Sequence, residues 1–470
     1  MKQIPNKYQD RFQYTVESLD NINKSLCIAK WKQVTMHLQN GHTHSCHHPT
    51  THVIPLSEIK KNASALHNTE FKKTQRQLML NGQRPSECSY CWKVEDSNNI
   101  SDRYYKSAEK WAIPYLSEIT SQPWDYDTIP TYVEVSFSNV CNFKCSYCSP
   151  SISSKWMEEI VQQGPYPTST QFNNLDWIKH ENKMPIAEKD NNPYVEAFWE
   201  WWPALYPVLQ HFRITGGEPL LSKHTFKVLD FIINNPNVNL TLEINSNLNV
   251  PDELFNKFIE KLQYIQEHRL VKDIVVFTSA ESVGNQAEYI RFGMNYDNWL
   301  SNLNTLLVKI PRIRTTVMST YNLLSIPKFK CLLEDLLHLR KLHNDTAITN
   351  SRAAVLIDIP HLSYPTHQSA FIAPESLLPY IKEQIEFMEL NAEPVSGQYI
   401  PYNGFHTHEI SKLKRIYDMI YAEIQNPSLS INTNRTDFIK FVNEHDVRRG
   451  TNFKETFPEL IELYNNWSLL

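Results

Sequence analysis

An α/β protein built on a largely parallel sheet is what this 470-residue sequence predicts, and two observations carry the prediction. Six short apolar segments recur between Thr131 and Ile359, and amphipathic stretches of helical length separate them. Parallel strands need crossover connections of that length, whereas hairpins do not. Six such units build either a doubly wound sheet or a partial barrel, and periodicity alone leaves both open.

TYVEVSFS (131–138) alternates apolar and polar residues at period two and reads as the first strand. LQHFRIT (209–215), NLTLEIN (239–245), DIVVFTS (273–279), RIRTTVM (312–318) and AAVLIDI (353–359) follow as strands. The segments 224–234, 252–268 and 327–342 read as the intervening helices. An insertion at 163–207 breaks the rhythm with prolines and the aromatic residues Phe198, Trp199, Trp201, Trp202 and Tyr206. These read as core packing under the insertion rather than as a lid. Residues 1–125 are polar and histidine-rich, and Pro123 and Pro130 mark a boundary. The expected organisation is an N-terminal module at 1–125, the strand–helix region at 130–368 and a mainly helical extension at 369–470.

Hydrophobic residues make up 41% and charged residues 21%, which excludes a disordered chain. No apolar run approaches the ~18 residues of a membrane span, and the first residues lack the apolar core of a signal peptide. A cytoplasmic protein without membrane contact is therefore expected. A net charge of -5 gives no basic field for duplex nucleic acid.

Cysteine placement carries the chemistry. Cys141, Cys145 and Cys148 form C-x3-C-x2-C directly after the first strand, where sites on such folds are built. A closed zinc site takes four ligands, usually as two pairs, while this loop offers three thiolates. A cubane [4Fe-4S] cluster held by three cysteines keeps one iron for a non-protein ligand. Cys27, Cys46, Cys88 and Cys91 make a second set, C-x18-C-x41-C-x2-C, which closes at four ligands. Zinc and a fully ligated cluster suit that set equally. His42, His44, His47 and His48 crowd Cys46 and read as a polar hairpin tip, since a complete thiolate set needs no imidazole. Cys331, alone on an apolar helical face, reads as a buried inert thiol.

The triad with Tyr147 before its last cysteine, followed one strand later by RITGGEP (213–219), closely resembles the radical S-adenosylmethionine (SAM) superfamily. That resemblance implies a partial (β/α)6 TIM-like barrel. It implies that Cys141, Cys145 and Cys148 bind a [4Fe-4S] cluster whose open iron chelates SAM, and that Gly216, Gly217 and Glu218 meet the SAM amine. It places Asn247, in NSNLN (245–249), at a polar turn, and gives Ser279, Glu281 and Arg291 the ribose and carboxylate contacts. The family commonly has Asp where Glu281 stands, and without the resemblance Glu281 and Arg291 read as a solvated pair at a helix start. The implied reaction is reductive cleavage of SAM to a 5′-deoxyadenosyl radical that abstracts hydrogen from a substrate. An electron donor such as flavodoxin or ferredoxin is implied with it.

The segments 27–46 and 78–96, with SDR (101–103), resemble the auxiliary-cluster (twitch or SPASM-like) module of such enzymes, here placed before the barrel instead of after it. Members with that module often modify peptides or proteins, so a peptide substrate is expected, with a small metabolite or nucleotide as the alternative. From another class, the chain reads as a non-catalytic iron–sulfur or zinc-binding protein for interaction or electron transfer.

Overall fold

The computed structural model describes residues 4–343, 354–393 and 403–470. Residue 353, which opens the sixth predicted strand, lies outside them. The strands are β1 (Gln33–His37), β2 (His42–His44), β3 (His52–Val53), β4 (Tyr132–Ser136), β5 (Lys144–Cys145), β6 (His211–Thr215), β7 (Asn237–Asn245), β8 (Val271–Thr278), β9 (Arg291–Phe292), β10 (Arg314–Met318) and β11 (Val355–Asp358). Nine of them hydrogen-bond in the order β11-β10-β8-β7-β6-β4-β1-β2-β3, and β5 pairs with β9. The six predicted strands are β4, β6, β7, β8, β10 and β11, adjacent in chain order as in a partial (β/α)6 barrel. The sequence reading did not foresee that β1 continues this sheet in parallel with β4.

The chain divides into two compact units. The first holds the residues up to Asn139 with Asn182–Gly216 and Pro236–Glu243. Its strands alternate, with Val34 and Met36 of β1, Val133 and Val135 of β4, and Phe212 and Ile214 of β6 fully buried. Between them stand Thr35, Glu134 and Arg213, in register across the three strands. The helix Pro193–Leu205 covers the apolar face. Pro193 sits at its first turn, and the Asn192 side chain accepts hydrogen bonds from the amides of Tyr194 and Val195. Phe198 meets Phe137 at 5.1 Å between ring centroids, and Trp202 meets Phe212 at 5.0 Å. The aromatic insertion is thus core, each ring contributing roughly 1.5–3 kcal/mol by burial. Leu19, Ile28, Trp31, Met79, Trp92 and Trp111 build a further apolar cluster that takes in Cys91.

The second unit holds Val140–Glu181, Gly217–Asn235 and the chain from Ile244. β10 pairs in parallel with both β8 and β11. The helix Asp252–Glu267 buries Phe255, Phe258, Ile259, Leu262 and Ile265, the three- and four-residue spacing of one face. Arg340 and Glu409, neither with any exposed side-chain surface, form an ion pair, and Glu409 also accepts the amide of Ile357 in β11. Cys331 is exposed, which corrects its reading as a buried thiol. The helix Phe329–Leu342 buries its leucines at 332, 333, 336, 337 and 339, so position 331 falls on the opposite face. No described helix is long and apolar enough to cross a membrane.

Candidate active site

The C-x3-C-x2-C segment is a loop fastened at both ends and in the middle. Ser153 caps the helix Ser154–Gln163 and donates its hydroxyl proton to the Phe143 carbonyl at 2.7 Å, while the Cys141 amide donates to Ser154 Oγ at 3.1 Å. Its centre is β5, paired antiparallel to β9, with the Ser146 amide on the Ile290 carbonyl at 2.7 Å. Gly293, just past β9, has φ +108°, and a Cβ there would stand 2.8 Å from the Asn142 carbonyl oxygen, so the approach of the two segments requires glycine. Trp156 Nε1 donates to the Cys145 carbonyl at 2.8 Å.

The three thiols share this loop and burial raises all three, Cys148 to about 12. After burial, the charge of Cys145 is the next largest cause at Cys141 and at Cys148, so each would feel its neighbour as a thiolate. Three half-buried thiols on one loop, whose charged forms would repel, fit a multivalent iron–sulfur cationic centre, which removes their protons on binding. One cation already addresses the group, because Arg291 Nη1 donates to Cys145 Sγ at 3.6 Å.

Arg291 belongs to a closed buried network. Its Nε donates to Glu281 Oε2 at 2.7 Å and its Nη2 to Tyr147 Oη at 2.6 Å, while Tyr147 Oη donates to Glu281 Oε1 at 2.7 Å. The Glu281 side chain is wholly buried and that of Arg291 is 10% exposed, which overturns the alternative of a solvated pair. The charged pair sits ten residues apart because β9 returns to the cysteine loop, a long-range pairing that helix-start patterns do not reveal. Ser279, half-buried, lies just beyond the end of β8.

The Gly-Gly-Glu turn closes β6. Gly216 has φ +125°, and a Cβ would stand 2.6 Å from Ser136 Oγ and 2.7 Å from the Ser138 carbonyl oxygen, so no other residue fits. The Glu218 amide donates to the Val140 carbonyl at 2.7 Å, one residue before the first cysteine. Its carboxylate accepts from Ser246 Oγ at 2.9 Å and from the Leu220 and Asn247 amides at 3.0 and 2.6 Å. Burial pushes this carboxyl up to about 7 against those bonds. Asn247 Nδ2 donates to Asn142 Oδ1 at 2.8 Å, tying the NSNLN turn to the cysteine loop. Asn142 was legible only as a residue inside the cysteine motif.

Two further residues had no signal in the sequence. Arg449, the last residue of the helix Ile431–Arg449, donates to the Lys144 carbonyl at 2.7 Å and to Glu159 at 3.1 Å. Gln368 Nε2 donates to the Ser146 carbonyl at 3.1 Å. The C-terminal segments therefore brace the loop that bears the triad.

In the first unit, Cys27, Cys46, Cys88 and Cys91 line one recess with Lys30, Arg103 and Lys106. Burial raises Cys27 to about 12, followed by the charges of the other three cysteines, and Cys88 to about 11. Four thiols and neighbouring cations fit a closed four-thiolate centre. His42 and His44 are not a hairpin tip; they lie buried in β2, where His44 Nε2 meets His37 Nε2 at 3.1 Å.

No family model matches the chain. A curated GTP 3′,8-cyclase from Sulfurimonas denitrificans is 27% identical over 124 residues, covering 26% of this chain; the chain spans about 30% of that relative's length. Two crystal structures of SuiB from Streptococcus suis are also similar. The one bound to precursor peptide SuiA has 12% identity, 77% of this chain and 70% of that chain covered, and a TM-score of 0.30. The one bound to S-adenosylmethionine has 13% identity, 72% and 75% coverage, and a TM-score of 0.29. Beside these similarities stand the chain's own features: a three-thiol loop at a strand end and the Gly-Gly-Glu turn hydrogen-bonded to the residue before it.

Proposed function

We propose that the chain binds a [4Fe-4S] cluster at Cys141, Cys145 and Cys148 and uses it to cleave SAM reductively, generating a radical that abstracts hydrogen from a substrate. The observation that carries this reading is the loop itself: three half-buried thiols within eight residues, one of them hydrogen-bonded to Arg291, with Glu218 held to the residue before the triad. When bound, the cluster supplies the single-electron chemistry that turns SAM into methionine and a 5′-deoxyadenosyl radical. The chain's own residues then bind and orient. Glu218 receives the SAM ammonium, with Gly216 and Gly217 keeping the backbone close. Asn247 and Ser279 offer polar contacts to the nucleoside portion, Tyr147 borders the adenosine side, and Arg291, oriented by Glu281, faces the SAM carboxylate.

Cys27, Cys46, Cys88 and Cys91 are proposed to hold an auxiliary [4Fe-4S] cluster that relays an electron. The four thiols lining one recess, with Lys30 and Arg103 beside them, support a closed four-thiolate centre. A peptide or protein is the proposed substrate, because the auxiliary module accompanies peptide modification in the family. A nucleotide is the competing substrate, supported by the name of the cyclase relative. A flavodoxin- or ferredoxin-type donor and a reducing, cytoplasmic setting complete the reading.

The role of Glu218 is testable through pH. The free protein holds this carboxyl at about 7, so below that value it is neutral and SAM binding must expel a proton. The SAM Kd of the cluster-loaded protein is therefore expected to rise as pH falls below about 7, by up to tenfold per unit, and to level off above it. Equilibrium dialysis across about pH 6–8 reads this directly. A Kd flat over the range, or a slope unchanged in Glu218→Gln, overturns the assignment.

A further inference from the structure

Beside the four-cysteine recess stands a group of side chains that neither centre uses. His47 Nε2, His48 Nε2 and an Asp102 carboxylate oxygen all lie within 4.8 Å of one another. Asp102 Oδ2 is 2.6 Å from His48 Nε2 and 3.4 Å from His47 Nε2, so both imidazoles converge on one oxygen. The ligands come from two separate places: the histidines from the loop after β2, and Asp102 from the start of the helix Asp102–Ser107.

Each ring is held. His48 lies flat on Tyr90, with centroids 3.8 Å apart and planes at 12°, and His47 tilts against His48 at 4.4 Å. Ser101 caps the helix and accepts the Arg103 amide at 3.2 Å, which fixes the backbone that presents Asp102. His48 is largely buried with a side-chain exposure of 15%, while His47 at 56% leaves the outer side open to water and to an entering ion. Two imidazoles and one carboxylate, with the remaining positions open to water, are a donor set for a borderline divalent cation such as zinc.

We propose that His47, His48 and Asp102 form a divalent transition-metal site, separate from the four thiolates and independent of the radical SAM reading. On binding, the metal replaces the hydrogen bond between His48 and Asp102, taking the Nε2 lone pair of the neutral ring and a carboxylate oxygen. The metal ties the Cys46–His48 loop to the helix Asp102–Ser107 at the mouth of the recess that His48 and Asp102 also line.

The test uses the full chain with its iron–sulfur centres assembled anaerobically, freed of loose ions by a mild chelator. Zinc is titrated against a chromophoric competitor, and cobalt is added in parallel as a spectroscopic probe. The expected result is one zinc equivalent per chain, with cobalt showing weak d–d bands and no thiolate charge-transfer absorption. His48→Ala and Asp102→Asn are expected to weaken binding by at least about tenfold with iron and sulfide content unchanged. Asp102→Asn keeps a hydrogen-bonding oxygen for His48, so it guards against a folding defect. Absence of zinc binding, thiolate charge-transfer bands, or wild-type affinity in both variants would each overturn the proposal, leaving a hydrogen-bonded trio only.

Discussion

Cys145→Ala is expected to abolish formation of 5′-deoxyadenosine from SAM in the reconstituted, dithionite-reduced protein. Of the three triad thiols, this one carries the most supporting structure: it lies in β5, its carbonyl accepts from Trp156, and its sulfur accepts from Arg291. Removing it leaves two thiolates for the cubane and an arginine with no sulfur to address, so iron at this site should fall with activity. A product assay by chromatography, with iron counted on the same sample, reads both. Deoxyadenosine production persisting in the variant sinks the assignment of the triad. Iron lost from the four-cysteine recess at the same time would show that the substitution acted on folding instead.

Arg291→Met is expected to be the most destabilising single change at the site. Among the described residues it leaves the wholly buried Glu281 carboxylate with the Tyr147 hydroxyl alone as side-chain partner. An unpaired buried charge costs about 3–5 kcal/mol, which in a domain of this size lowers Tm by roughly 10 °C. The double variant Arg291→Met, Glu281→Met removes both charges and is expected to regain most of that loss, because a buried ion pair contributes little over an apolar pair. SAM cleavage should stay low in the double variant, since the cysteine loop has lost its polar anchor. Differential scanning of the single and double variants decides the matter. A single variant melting with the wild type would mean that Glu281 reaches water or another cation.

How much of this was readable in the amino-acid order differs by element. β4 announced itself because a half-buried strand alternates, β8 because its Ile274-Val275-Val276 run is apolar, and the helix Asp252–Glu267 because one face must be apolar. The cysteine triad and Gly216-Gly217 were legible because their spacing is distinctive and close backbone approach tolerates few residue types. β1 was not, since its parallel pairing with β4 joins residues about a hundred apart and its polar positions look like loop. The Glu281–Arg291–Tyr147 network and the Arg449 brace were invisible for the same reason: burial and partners at such separations are set by tertiary packing. Cys331 failed the other way, because an apolar neighbourhood in sequence did not fix which side of the helix it faced.

The central claim concerns a cubane that the triad leaves one protein ligand short, with SAM taking that place. Electron paramagnetic resonance of the reduced, reconstituted protein with and without SAM tests it most directly. The expected spectrum without SAM contains two [4Fe-4S] signals, one from each cysteine group, and SAM should shift the g-values of one and leave the other unmoved. Cys145→Ala should delete the shifting signal alone. Spectra that are superimposable with and without saturating SAM, in protein carrying both clusters, would contradict the account.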